Sequence, residues 1–252
     1  MTASGGSGEK RQGGFALLVD GYMRDLFTTG IILQRLQYDV YIVSTAEDAL
    51  RMIDAVKPSI IIAELALPQM SGLELLVRVK HDPGLKSIPV IIHTGTDDPN
   101  REKLCAASGC ACYLKKPVEP DALYTAIQQV TEITPRHYMR LRLMLPARIS
   151  GPNTAGEPTN TEYVSEVSEN GLFVCTLSPR PVSSIVTVTV MIHSIAVKVK
   201  ALVLHTVTIA TIDRERFTEP GMGLKFVEIS RTDRELIRNF IKGHVIKDMP
   251  IQ

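Results

Sequence analysis

Residues 60–72 read IIIAELALPQMSG, and this stretch decides how the first half of the chain folds. Ile60, Ile61, Ile62 and Ala63 form an apolar run without alternation, the mark of a strand buried on both faces. A single carboxylate, Glu64, ends the run. A proline, a turn and a new helical pattern follow, so Glu64 falls at the carboxyl end of a buried strand.

The same grammar extends in both directions. FALLVD (15–20), DVYIVS (39–44), IPVIIHT (88–94) and CACYLKK (110–116) are further short apolar runs. Between them lie MRDLFTTGIILQRLQ, AEDALRMIDAV, SGLELLVRVKHD, DPNREKLCAAS and PDALYTAIQQVTE, each with apolar residues at helical spacing. Ser71 followed by Glu74 makes a capping box for the third helix. Five successive βα units predict a doubly wound α/β domain over residues 15–133, whose ligands sit beyond the carboxyl ends of the strands. That rule gathers Asp20, Glu64, Thr94 and Lys116 into one crevice.

After Thr134 the pattern changes. LRLMLPARI, GLFVCTL, SIVTVTVMI, IAVKVKALVLHTV and GMGLKFVEI alternate apolar and polar residues, as half-exposed antiparallel strands do. Gly/Pro/Asn-rich pieces such as SGPNTAGEPTN separate them. RTDRELIRNFIKGHV reads as a terminal helix that Thr232 and Glu235 would cap. Residues 134–246 are therefore expected to form a small antiparallel β-barrel closed by a helix. Residues 1–14 and 247–252 read as tails.

Composition narrows the function classes. Residues 1–133 carry 13 basic and 16 acidic side chains, and residues 134–252 carry 15 and 11. The second half is mildly basic, enough for a small anionic ligand but thin for a nucleic-acid platform. With no tryptophan and 5% aromatic residues, an extended base-stacking surface is not expected. The N-terminus lacks the apolar core of a signal peptide, and no apolar run reaches the roughly 18 residues of a membrane span. A cytoplasmic protein is the expectation. Cys105, Cys110, Cys112 and Cys175 lack zinc-site spacing and read as small buried thiols of a reducing compartment. His193 and His205 sit among strand residues and read as structural. Arg142 and Arg148 read as solvated strand-face charges. A P-loop, a Gly-rich dinucleotide turn and a nucleophile motif are all missing, so an enzyme is not expected. Nor does a helix-turn-helix pattern follow the first domain.

In LLVDG, IIIAELALPQMSG, VIIHTGT and YLKKP, residues 15–133 resemble a response-regulator receiver domain, which implies a flavodoxin-like fold. The resemblance implies a phosphoacceptor aspartate on the third strand and an acidic pair after the first strand that holds Mg²⁺. Here Glu64 replaces the aspartate, and the pair is Asp20-Gly21, with one acid lost. Thr94, Lys116 and the aromatic Tyr113 keep their places. A weakened metal site and a displaced nucleophile make this a degenerate, unphosphorylated receiver with no metal. Reaching Lys116 and Thr94, Glu64 would partly imitate a phosphoaspartate, with one negative charge instead of nearly two.

RHYMR (136–140), EVSENG (166–171) and the ending GMGLKFVEIS resemble the PilZ domain, a family that binds the bacterial messenger cyclic di-GMP. The resemblance assigns ligand binding to Arg136, Arg140, Glu166, Ser168 and Gly171. Glu166 stands where the family has Asp or Asn, and Pro135 replaces one of its usual doubled arginines. Guanidinium forks suit both phosphates and guanine edges, which is why such a motif is built from arginine. The resemblance implies a cyclic di-GMP effector with an unidentified output protein, acting on motility, attachment or exopolysaccharide; receiver faces often pair, which would make it a homodimer. The alternative is a scaffold or interaction protein whose degenerate PilZ barrel binds no nucleotide.

Overall fold

The computed structural model describes residues 15–132, 135–150, 162–208 and 219–247. The tail expected over 1–14, most of that over 247–252, and the piece 151–160 lie outside the described residues. The chain divides into two compact units whose main boundary falls between His137 and Tyr138, with the chain from Val245 onward grouped with the first.

The first unit alternates strands and helices: β1 (Ala16–Val19), α1 (Met23–Arg35), β2 (Val40–Val43), α2 (Ala46–Ala55), β3 (Ile60–Ala63), α3 (Gly72–His81), β4 (Val90–Thr94), α4 (Pro99–Ala107), β5 (Cys112–Lys115) and α5 (Pro120–Thr131). The strands form a parallel sheet in the order β2-β1-β3-β4-β5. Its direction reverses beside β1, so a crevice opens beyond the ends of β1 and β3. Residues Ile60 to Ala63 are fully buried, as the uninterrupted apolar run requires. The helices bury stripes at helical spacing, such as Leu75, Leu76 and Val79 on α3. Ser71 and Glu74 form a reciprocal capping box at the start of α3.

The second unit is a closed barrel, β10-β11-β8-β7-β6-β9, built from β6 (Arg140–Ser150), β7 (Glu162–Ser168), β8 (Gly171–Cys175), β9 (Ile185–Ile192), β10 (Ile195–Val207) and β11 (Gly221–Glu228). Helix α6 (Arg231–Ile246) follows. Val164, Val167, Leu172, Val174, Val188, Val199, Val203, Met222 and Leu224 are among the buried side chains of this unit, and Ile237, Phe240 and Ile241 give α6 its buried stripe.

Two sequence readings need correction. The five expected barrel strands omit one: β7 runs to Ser168, leaving Glu169 and Asn170 as the turn before β8. A register shift between Val164 and Glu166 breaks the alternation that would have revealed it. The cap of α6 is Ser230, not Thr232, because the helix begins at Arg231; the Asp233 amide donates to Ser230 Oγ at 3.0 Å. Of the four free cysteines only Cys105 is fully buried, and the other three are half-buried.

Candidate functional site

The crevice of the first unit is built from strand ends. Asp20 follows β1, Glu64 follows β3, Thr94 ends β4 and Lys116 follows β5. Lys116 Nζ donates to Asp20 Oδ2, and at 2.7 Å to both Glu64 Oε2 and Asp25 Oδ2. The other Glu64 oxygen accepts from the Thr94 hydroxyl and, at 3.0 Å, from the Ala66 amide. Thr94 Oγ1 in turn accepts from the Thr96 amide, and Tyr113 donates its hydroxyl to the Thr96 carbonyl at 3.3 Å. Gly21 is exposed beside this cluster.

The electrostatics follow from these contacts. Burial opposes the charge on Glu64, but hydrogen bonds from Lys116, Thr94 and Ala66 outweigh it and hold the carboxyl below its ordinary range. Burial likewise opposes the Lys116 ammonium, and three carboxylate partners raise its pKa instead. Asp20 goes the other way, pushed up by burial that Lys116 and the Tyr22 amide only partly offset. His93, one residue before Thr94, is buried, and both ring nitrogens lack a hydrogen-bond partner. Burial and then the Lys116 charge lower its pKa to about 4, so the ring is neutral.

Asp25 was not among the residues expected here. It lies in the first turn of α1, which begins three residues after Asp20 and swings this carboxylate over the strand ends. Carboxylate oxygens of Asp20, Asp25 and Glu64 lie within 4.8 Å of one another, a spacing that suits a divalent ion. Each carboxylate already accepts from Lys116, however, so an ion would have to displace an ammonium that three partners hold. The residues present therefore fit an internal cation better than a metal.

The second constellation lies on the outer side of the barrel. Arg140 opens β6 and is paired in register with Ser168 on β7, which is itself paired with Gly171 on β8. Ser168 Oγ donates to the Gly171 carbonyl at 3.2 Å. A Cβ on Gly171 would stand 2.3 Å from the Leu224 carbonyl oxygen, so only glycine permits this approach. Arg140 Nη1 lies 2.6 Å from Glu166 Oε1, a half-exposed ion pair within the expected ligand motif. Helix α6 grips the turn between the strands. Arg234 Nη1 donates to the Glu169 carbonyl at 3.1 Å and to Asn170 Oδ1, and Arg238 pairs with the Glu169 carboxylate at 2.8 Å.

Arg136 belongs to the first compact unit, where its amide donates to Gln128 Oε1 at 3.1 Å and its side chain is exposed. Arg142 and Arg148 are exposed on β6. His193 stands in the turn between β9 and β10 and meets Phe240 edge-on, with centroids 5.5 Å apart. His205 lies on β10, half-buried beside Gly223 of β11.

Comparison with known proteins divides the chain a few residues earlier, between 128 and 134. Residues 17–128 match the response regulator receiver domain and residues 134–243 match the PilZ domain. Among curated relatives, the two-component response regulator ORR6 of Oryza sativa subsp. japonica is 36% identical over 96 residues, covering 36% of this chain and 56% of that protein. ORR3 of Oryza sativa subsp. indica is 32% identical over 105 residues, 41% of this chain and 80% of that protein. The signal receiver domain of a signal transduction histidine kinase from Syntrophus aciditrophicus is a similar solved structure. It is 25% identical, covers 47% of this chain and 90% of its own, and gives a TM-score of 0.45. Chemotaxis response regulator CheY4 of Vibrio cholerae is also 25% identical, over 46% of this chain and 98% of its own, with a TM-score of 0.44.

Proposed function

From a chain that carries a response regulator receiver domain followed by a PilZ domain, we infer a bacterial signalling effector that binds cyclic di-GMP on its barrel and takes no phosphate on its receiver. The protein is a binding module, not an enzyme. Its output, through a partner protein, is motility, surface attachment or exopolysaccharide control.

One observation carries the reading: the two halves of the ligand motif are neighbours in the barrel. Arg140 stands opposite Ser168, and Ser168 stands opposite Gly171, so a guanidinium and a small polar turn share one patch. Arg140 offers a fork for a phosphate or a guanine O6/N7 edge. Glu166 offers an acceptor for guanine N–H groups, and Gly171 keeps the turn low enough for a base to approach.

The receiver half supports the inert reading through Glu64. Both of its oxygens are already engaged, one by Lys116 and the other by Thr94 and Ala66. A nucleophile so held must break an ion pair before it attacks, and Gly21 stands where a second acid would help bind a metal. Glu64 holds Thr94 with a single permanent charge, a setting that needs no phosphodonor.

The scaffold reading also has an observation in its favour. The Arg140–Glu166 pair satisfies the arginine internally, so a ligand must outcompete a carboxylate 2.6 Å away. Calorimetric titration of the full chain with cyclic di-GMP separates the two. Saturable heat supports the effector; its absence supports the scaffold.

A further inference from the structure

A row of paired residues crosses the barrel beside the Arg140–Glu166 pair. Glu166 is opposite Phe173, Phe173 is opposite Gly223, and Gly223 is opposite His205, linking β7, β8, β11 and β10. Their sequence neighbours Val167, Leu172, Val174, Met222 and Leu224 are buried inside the barrel, so strand alternation turns the row outward. Gly223 is the low point. A Cβ there would fall 2.1 Å from the Cε1 atom of His205, which means that the imidazole lies across the space a side chain would fill. Phe173 leans in from the other side, and the two ring centroids are 6.1 Å apart with planes inclined by 35°. A histidine and a phenylalanine two strands apart thus meet over a glycine.

We propose that Phe173 and His205 form a stacking shelf for one guanine of the ligand. The site then extends across the barrel from the Arg140–Glu166 pair to β10. The proposal rests on the cyclic di-GMP reading and adds to it residues that the two sequence motifs do not contain. The chemistry is complementary. The Arg140–Glu166 pair offers a donor fork and an acceptor to a base edge, but nothing in it covers a base face. A planar π-surface next to that pair supplies the missing contact. Burial and then the Arg140 charge lower the His205 pKa, with Glu166 acting against them, so the imidazole is neutral at pH 7 and does not repel the guanidinium. Gly223 is required because any larger residue evicts the ring.

The test is calorimetry and guanine absorbance on the full chain with cyclic di-GMP. His205→Ala and Phe173→Ala should each weaken binding by about 5- to 150-fold, the usual range for one lost stacking partner. His205→Phe should hold near-wild-type affinity, since it keeps a ring over Gly223. Bound wild-type protein should lower the guanine absorbance, and His205→Ala should reduce that hypochromic change while melting with the same cooperativity. Wild-type binding with unaltered affinity in both alanine variants would overturn the shelf alone. An absence of wild-type binding would overturn the function reading and the shelf together.

Discussion

Lys116 is the residue on which the first site turns. Its ammonium is shared by Asp20, Asp25 and Glu64, leaving three carboxylates against one cation. Lys116→Met should strip the partner from a largely buried cluster and destabilise the receiver by about 3–5 kcal/mol, read from denaturant unfolding. The pH dependence should change as well. In the wild type, Lys116 has a folded pKa above its unfolded value of 10.5, so its contribution is complete below 10.5 and fades as pH rises beyond that. Glu64, with its pKa lowered from 4.5, contributes stability that is lost as pH falls below 4.5, while Asp20, raised from 3.8, acts in the opposite sense there. Without Lys116 the carboxylates repel one another and their pKa values rise, so the variant should gain stability as pH falls through them. A variant whose stability loss is the same at pH 5 and pH 8 would contradict this assignment. The same cluster predicts an inert receiver. Acetyl phosphate with Mg²⁺ should leave the intact mass unchanged, and an added phosphate on Glu64 would refute that. Glu64→Asp alone should not create reactivity. Gly21→Asp with Glu64→Asp is the combination to try, because the nearest atom to a Cβ at Gly21 is Pro68 Cδ at 3.4 Å, ordinary contact. Asp20, Glu64, Thr94 and Lys116 were legible in the sequence because each ends an apolar run. Asp25 was not, since its place depends on where α1 starts its first turn, and no cap motif marks that start: Tyr22 makes no side-chain cap hydrogen bond.

At the scale of elements, α6 and the β7–β8 turn form one device. The turn presents Ser168 and Gly171, and α6 anchors its two central residues through Arg234 and Arg238. Arg234→Ala removes bonds to the Glu169 carbonyl and to Asn170, and it should let the turn wander. Amide exchange at Gly171 should then quicken and cyclic di-GMP affinity should fall several-fold, with the barrel still melting cooperatively. Unchanged exchange at Gly171 would show that the strands alone hold the turn. The sequence revealed five of the six barrel strands and concealed β7. Its outward positions carry Glu, Ser and Tyr, and its two inward valines, Val164 and Val167, are three apart across a bulge instead of two apart. The terminal helix was legible from its apolar spacing, but its first residue was set by Ser230, one position outside the expected segment.

For the whole molecule, a receiver domain and a PilZ domain share one chain. The receiver keeps Lys116 and Thr94 but fills their crevice with its own Glu64; the barrel keeps Arg140, Ser168 and Gly171 and adds an internal acid, Glu166. Both fold classes were readable because the change from unbroken apolar runs to alternating ones occurs where the domains change. Function was less readable, because a motif cannot show whether its arginine is free or already paired. Calorimetric titration of the full chain with cyclic di-GMP, beside Arg140→Ala and Glu166→Asp, addresses this most directly. The predicted result is saturable heat from the wild type and a loss of about 1.5–3 kcal/mol, roughly 10- to 150-fold, in Arg140→Ala. Glu166→Asp should bind as tightly as the wild type or more so, because its shorter carboxylate holds Arg140 less closely. No saturable heat from the wild-type chain, or equal affinity in Arg140→Ala, would contradict the claim that this protein reads cyclic di-GMP.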